Sequence, residues 1–361
     1  MANLKFSQFQ EQTDPANVQF VVGYNGTDNV RIDPANLGGG ATDLNGLSDC
    51  STADGSSVYV GNVPPGLSGS SLSNTVLGNA AGNSIVSGFR NTLVGRNAGD
   101  SISFGDYHVC IGNGAGGSLT TANETVCIGN DAGGNSTASD TVIIGASSGR
   151  NAISTGHISI GYRAGFSQTS GAENTFLGFS SAYSVTTGSH NTVIGYEAGY
   201  ASLSGDSNTL IGASAGYSGS NNLITGSNNI IIGHDASPSA FDADNEITLG
   251  NSSIASLRCQ VQTISSLSDS RDKTNIKSST YGLDFVNKLN PVTFDWNTRD
   301  GAKVGDKDLG FIAQELQVVD DENLQLVYDK NPDKLEASYG RLIPVLVKAI
   351  QELKAEIELL K

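Results

Sequence analysis

The sequence predicts a mainly-β chain. A parallel β-roll or β-solenoid of about 17-residue repeats is followed by a small α+β region ending in a helix. Three observations predict it. Glycines recur at Gly78, Gly95, Gly112, Gly129, Gly145, Gly161, Gly178, Gly195, Gly212, Gly233 and Gly250, with spacings of 17, 17, 17, 16, 16, 17, 17, 17, 21 and 17. Each follows a short β-prone run, as in Asn74-Thr75-Val76-Leu77-Gly78 and Asn191-Thr192-Val193-Ile194-Gly195. Past about residue 256 this period stops, and charged residues and helical apolar spacing replace it. A fixed period of this size marks a repeat architecture. Glycine-rich composition signals disorder only where no period exists.

Residues 1–38 read as a separate small unit. Val18-Gln19-Phe20-Val21-Val22-Gly23-Tyr24 and Asn29-Val30-Arg31-Ile32 flank Asn25-Gly26, a strong hairpin-turn signal. Some 30 residues cannot hold a core alone, so the unit is expected to trimerise or dock onto another protein. Residues 39–70, with Pro64-Pro65-Gly66, read as a Gly/Ser-rich linker.

Residues 71–255 carry the repeat. The residue before each lead glycine is Leu, Val or Ile, and the residue three before it is β-branched. Positions two apart on a strand share a face, so these two are predicted to stack inward. The residue between them would then point outward, yet it is mostly apolar: Val76, Leu93, Cys110, Cys127, Ile143, Phe176, Val193, Leu210, Ile231. A face of that kind is expected to be buried against other copies of the chain; a single-chain solenoid with a greasy stripe is the alternative. A small residue, usually Ala, follows three after the glycine.

Residues 256–361 are predicted to form short helices and strands around Phe285, Leu289, Phe294, Trp296, Phe311, Ile312 and Leu316. A final helix from about Gly340 places Ile343, Leu346, Ile350, Leu353, Ile357 and Leu360 at spacings of 3 and 4, a heptad seam with Ile at a and Leu at d. By itself that combination leans toward two strands.

The formal net charge is −16. Residues 1–267 hold 7 basic and 19 acidic side chains, and residues 268–361 hold 13 and 17. So acidic a body argues against nucleic acid or anionic membrane as partner. No basic leader or long apolar run marks the chain for export or membrane insertion. Cys50, Cys110, Cys127 and Cys259 show no CxxC pairing and are read as thiols, with Cys110 and Cys127 stacked one coil apart. Gly112-Asn113-Gly114-Ala115-Gly116-Gly117 fits a dinucleotide fingerprint but belongs to the repeat, with no helix after it. His108, His157, His190 and His234 lack ligand spacing and are read as surface or axial turn residues. No metal and no cofactor are expected, and no carboxylate pair stands out for glycan hydrolysis.

One constellation carries chemistry. Ser268-Asp269-Ser270-Arg271-Asp272-Lys273 opens the tail. Leu289-Asn290-Pro291-Val292-Thr293-Phe294, Gly310-Phe311-Ile312-Ala313-Gln314-Glu315 and Ser338-Tyr339-Gly340-Arg341-Leu342-Ile343-Pro344 follow. This ordered set resembles the intramolecular chaperone, auto-processing domain at the C-terminal end of endosialidase-type phage tailspikes and tail fibres. The resemblance implies a self-cleaving Ser-Lys endopeptidase acting once on its own chain, with Ser268 as nucleophile, Lys273 as base and Leu267–Ser268 as the cut bond. A Ser hydroxyl needs a base, and Lys serves only when burial or nearby positive charge frees its amine. Arg271 would help, while Asp269 and Asp272 would oppose it.

The resemblance further implies a homotrimer, hence a three-stranded seam, and a virion fibre or tailspike made in the host cytoplasm. Other virion proteins would bind through the N-terminal unit, and a host surface receptor or glycan would be the external partner. The repeats are also similar to the heads of trimeric autotransporter adhesins. The rival expectations are a structural fibre retaining its chaperone domain, and a glycan-binding or glycan-degrading spike acting through residues 71–255. Membrane-tethered transcription factors of the myelin regulatory type carry a related domain, but their DNA-binding domain and transmembrane helix are not read here.

Overall fold

A computed structural model of the chain describes residues 21–24, 29–32, 50–51, 57–61, 63–68, 71–217, 221–254, 256–258, 260, 265–299, 301 and 303–361. The chain divides into two compact units, Met1–Thr187 and Gly188–Lys361. In the first, β1 (Val21–Tyr24) and β2 (Asn29–Ile32) form an antiparallel pair with Val21 opposite Ile32. The predicted Asn25-Gly26 turn lies outside the described residues, as do Cys259 and the side chain of Cys50.

The rest of this unit is a parallel β-solenoid. A short β3 (Cys50–Ser51) runs antiparallel to β4 (Val58–Val60). From β4 the strands β5 (Thr75–Leu77), β6 (Thr92–Val94), β7 (Val109–Ile111), β8 (Val126–Ile128), β9 (Val142–Ile144), β10 (Ile158–Ile160) and β11 (Thr175–Leu177) pair in parallel, each with the next. The sheet therefore begins at residue 50, inside the stretch read from sequence as a linker.

The facing of the strands is opposite to expectation. The middle residue of each strand is the buried one: Val76, Leu93, Cys110, Cys127, Ile143, Ser159 and Phe176. Its neighbours face outward, with Leu77, Ile111, Ile158 and Leu177 exposed. The physical reason is strand length. A three-residue strand set between two corners turns only its central side chain into the coil. Buried alanines three after the lead glycine (Ala81, Ala98, Ala115, Ala132) and a second inward row, Ile85, Ile102 and Leu119, fill the remaining interior. Sequence reasoning missed that second row. The outward apolar rows still exist, but they are the flanking positions.

The lead glycines are dictated by backbone. Gly95 has φ +131°, and a Cβ placed on it would lie 2.5 Å from the carbonyl oxygen of Gly112 in the next coil. Neither the conformation nor the space admits a side chain. Two residues before the strands, non-glycine residues adopt the left-handed region, among them Arg90 (φ 57°), Tyr107 (φ 62°) and Glu124 (φ 55°). An intercoil hydrogen bond holds each of them: Arg90 N–H to Leu72 O, Tyr107 N–H to Phe89 O and Glu124 N–H to Asp106 O, all at 3.0–3.1 Å.

A buried polar ladder runs beside the strands. The Asn74 side-chain oxygen accepts from Asn91 N–H (2.9 Å), and that of Asn91 accepts from His108 N–H (2.9 Å). The Asn91 amide donates to Gly105 O at 3.0 Å. His108 substitutes for asparagine in its coil. Its Nδ1 accepts from Thr125 N–H (3.3 Å), which leaves Nε2 to donate to Ala122 O (2.7 Å). His108 and His157 are thus fully buried, correcting their reading as surface or axial turn residues. Burial pushes the His108 imidazole below its usual pKa. Cys110 and Cys127 pair as neighbours in register, both buried and free.

The second unit opens with β12 (Thr192–Ile194), β13 (Thr209–Ile211), β14 (Ile230–Ile232) and β15 (Ile247–Leu249), again parallel and with the middle residues Val193, Leu210 and Ile231 buried. An α+β region follows. It consists of α1 (Leu283–Val286), β16 (Val292–Asn297), β17 (Val304–Gly310), α2 (Ala313–Val319), β18 (Val327–Tyr328), β19 (Glu336–Ala337) and α3 (Leu342–Leu359). Its core is Phe285, Leu316, Leu324, Leu326, Leu342 and Val345, with Leu289 and Phe311 packed at the edge. Phe294 and Trp296, expected in that core, instead sit half-buried on the antiparallel β16–β17 ribbon in edge-to-face contact 5.2 Å apart. Ile312, also expected inside, is exposed.

Candidate functional site

The segment around Ser268 is shaped by its own short-range polarity. Asp269 caps a single 3-10 turn, Ser270–Asp272, by accepting from Arg271 N–H at 2.9 Å. The Arg271 guanidinium folds back onto the same carboxylate, with Nη2 at 2.6 Å and Nε at 3.0 Å. These bonds hold the Asp269 carboxyl below the usual carboxylate range. The turn brings Lys273 back toward Ser268. Lys273 Nζ donates to Ser268 Oγ at 2.7 Å and to Ser268 O at 3.2 Å. Ser268, Lys273 and Leu267 are all exposed.

Two consequences follow for chemistry. Arg271, the candidate for assisting Lys273 electrostatically, is already neutralised by Asp269. An amine that donates to a hydroxyl is oriented for proton exchange with it, but acting as base requires a desolvated lysine. In one chain the pair is open to water.

The terminal helix has two faces. Leu342, Val345 and Ala349 are buried toward the domain core. Glu352 accepts from Leu283 N–H at 2.7 Å, and the bond holds its carboxyl below the usual range, helped by Lys348. Gly282 permits that approach, since a Cβ there would meet the Glu352 carboxylate at 2.0 Å. The adjoining face carries the heptad positions Ile343, Leu346, Ile350, Leu353 and Ile357, with Leu360 just past the helix end, and every one is exposed. The helix starts at Leu342, after a 3-10 turn over Tyr339–Arg341, rather than at Gly340.

An open cleft of about 490 Å³ lies beside the start of α3, lined by Tyr281, Asn323, Ser338, Arg341 and Val345 among others; neither Ser268 nor Lys273 lines it. Tyr281, which lines it, donates to Asp321. Among the described residues no His, Cys, Asp and Glu side chains converge as a metal site, and no helix is long and apolar enough to cross a membrane.

A polar cluster that sequence reasoning missed joins the last coil to the α+β region. Glu246 accepts from Ser239 N–H (2.9 Å), Ser239 Oγ (2.6 Å) and Thr248 Oγ1 (2.8 Å) within the coil, and from Tyr328 OH (3.2 Å) on β18. Asn331 Nδ2 donates to Ser239 O at 2.9 Å. The available signal was Glu246 itself, which stands where the three preceding coils carry Asn191, Asn208 and Asn229.

Residues 268–325 match the family model described as "Chaperone of endosialidase". The match begins at Ser268 and takes in the stretches around Pro291 and Phe311. No curated protein and no solved structure matches the chain.

Proposed function

We propose that the chain is a homotrimeric phage virion fibre or tailspike protein for host attachment, whose C-terminal domain directs trimerisation and then cuts itself off at Leu267–Ser268. On this reading residues 1–38 attach to the virion and 39–70 lead into the body. Residues 71–255 form the shaft, and 256–361 are the chaperone. The observation that carries it is positional. The family match starts at the serine whose Oγ lies 2.7 Å from Lys273 Nζ, at the junction between solenoid and α+β region.

Trimerisation is supported by unpartnered apolar surface of two kinds. The flanking strand positions, such as Leu77 and Leu177, and the α3 seam are exposed in one chain. Parallel β structure forms its contacts late and aggregates readily, so a local helical clamp that sets stoichiometry first answers a physical need. The same assembly would cover Lys273 and free its amine.

In the reaction, Ser268 Oγ attacks the Leu267 carbonyl carbon as its proton passes to Lys273. The Leu267–Ser268 C–N bond breaks, and Lys273 returns the proton to the leaving Ser268 amine. An ester joins the Leu267 acyl group to Ser268 Oγ. Water then opens it to a Leu267 carboxylate and a free Ser268 hydroxyl.

Intact mass and N-terminal sequencing of freshly purified protein test the reading. Wild type should yield 1–267 and 268–361 without added protease. Ser268→Ala should give uncut trimer. Lys273→Ala should block the cut, and Lys273→Arg should not restore it, because a guanidinium stays protonated. A new N-terminus other than Ser268, or cleavage in Ser268→Ala, would falsify the mechanism; uncut wild-type trimer would leave a fibre that retains its chaperone.

A glycan-binding body is a second reading. It is favoured by stacked aromatic pairs on neighbouring coils, Tyr162 with Phe179 and Phe166 with Tyr183 at 5.1 and 5.2 Å, with Arg163 over Tyr162 and Phe166. Loss of host-polysaccharide binding in Tyr162→Ala would establish it, and unchanged binding would remove it.

A further inference from the structure

The polar ladder of the second unit ends in a residue of different chemistry. Asn191 Oδ1 accepts from Asn208 N–H (2.9 Å), Asn208 Oδ1 from Asn229 N–H (3.0 Å), and Asn229 Oδ1 from Glu246 N–H (3.0 Å). The amides of Asn191, Asn208 and Asn229 also donate, to Gly205 O, Gly226 O and Ala243 O respectively. An asparagine suits an interior coil because it accepts from the coil ahead while donating sideways. Glu246 sits in the coil of β15, which ends the strand order, so among the described residues no further coil offers it an N–H.

A carboxylate only accepts, and here it collects donors from two sources. Its own coil supplies the Ser239 N–H, the Ser239 hydroxyl and the Thr248 hydroxyl, and β18 supplies the Tyr328 hydroxyl. Ser239 Oγ commits its proton to Glu246 at 2.6 Å, so the single Tyr328 hydroxyl proton is shared between the Glu246 carboxylate at 3.2 Å and the serine oxygen at 3.0 Å. Burial pushes the Glu246 carboxyl up, but these donors outweigh it and hold it below the usual range, so it is ionised at neutral pH. Hydrogen bonds to an ionised acceptor are the strong kind. Asn331 adds a second tie, to Ser239 O. Tyr328 and Asn331 are 82 and 92 residues distant from Glu246 and Ser239, and both lie beyond Ser268.

We infer that the terminal coil of the solenoid is a docking surface for residues 328–331 of the same chain, so that the C-terminal domain stays on the shaft after the backbone between them is cut. Glu246 and Ser239 form the shaft side, and Tyr328 and Asn331 form the domain side. The inference rests on the proposed reading of 268–361 as a domain severed from the shaft, but the contact does not depend on how the cut is made. β15 is the edge strand of the sheet, and Tyr328 and Asn331 close on the Ser239–Glu246 corner of its coil while Ile247 and Leu249 stay exposed beside them.

The test separates docking from self-cleavage. The full-length Ser268→Ala chain receives a site-specific protease sequence between Leu257 and Ser268, and the external protease makes the cut. Size-exclusion chromatography and dilution then measure whether, and how fast, 268–361 leaves. Co-elution is expected, with dissociation faster by about tenfold or more in Tyr328→Phe and again in Asn331→Ala, as the loss of a hydrogen bond to a charged or buried partner implies. Tyr328→Phe should have a smaller added effect in a Glu246→Gln background, where the partner is no longer charged. The Tyr328 and Asn331 variants leave the shaft untouched, so a misfolded last coil in Glu246→Gln would not spoil the measurement. Immediate loss of the fragment from the parent chain overturns the inference. So does retention at the same rate in the parent, Tyr328→Phe and Asn331→Ala. Neither result bears on whether Ser268 cuts the chain, which is read from the uninserted wild type.

Discussion

His157 should make the shaft acid-labile by a calculable amount. It lies in the coil of β10 with both ring nitrogens near the Gln168 amide, at 3.0 and 3.3 Å. Burial lowers its pKa from 6.5 to about 4, against a smaller opposing pull from the Ser154 backbone. The folded value is depressed, so the unfolded chain takes up the proton first. Stability is therefore intact above about pH 6.5, falls as pH drops, and has lost the full contribution near pH 4. A shift of roughly 2.5 units at 1.36 kcal/mol each is about 3 kcal/mol. Denaturant unfolding of Ser268→Ala chain between pH 8 and 4 measures this, beside the same chain carrying His157→Asn. Asparagine is what most coils of the ladder carry, and carboxylate titrations cancel in the difference. The difference should be flat above pH 6.5 and then grow by about 3 kcal/mol in the variant's favour. A difference constant across that range would refute the reasoning.

Three further outcomes are expected. Gly95→Ala should destabilise the shaft by at least about 3 kcal/mol, since a strained φ and a backbone clash coincide there; a shift in unfolding midpoint reports it. Leu177→Asp should leave coil folding intact by circular dichroism yet block trimer formation in sedimentation, whereas Leu93→Asp, at the buried middle position, should abolish folding itself; identical behaviour of the two would contradict the observed facing. Polar replacement of both Ile350 and Leu353 should remove soluble trimer when introduced into the full-length chain, because both lie on the outer face of α3 and not against its core; a normal yield of trimer would show that the seam sets nothing.

The strands and their order were legible because glycine spacing is rigid. A lead glycine with φ near +130° and a carbonyl pressed against its Cα admits no substitute, so the period survives in the letters. Facing was not legible. Alternation says which residues share a side but not which side is in, and apolar residues occupy both sides of these strands. Only the corner geometry of a three-residue strand decides. The buried His108 was hidden for a different reason. An imidazole can present one acceptor and one donor as a side-chain amide does, and no spacing rule records that equivalence. In the tail, the two faces of α3 overlap in sequence, so the heptad seam was visible while the inner row of Leu342, Val345 and Ala349 was not. The Ser268–Lys273 approach follows from a five-residue separation closed by one 3-10 turn. The Glu246–Tyr328 contact spans 82 residues and leaves no local trace.

The polar ladder also makes the shaft a gauge with removable gradations. Each interior rung offers one acceptor to the coil ahead and gives its own N–H to the acceptor behind, so any coil bearing asparagine can follow any other. Duplicating or excising a 17-residue cassette would lengthen or shorten the stack by about 4.8 Å while leaving both ends chemically unchanged. Glu246 cannot be shuffled this way, because its carboxylate has no proton to pass sideways. Reach is thus free to vary by unequal copying of one short stretch of gene, and the closing coil stays fixed as the point where counting stops.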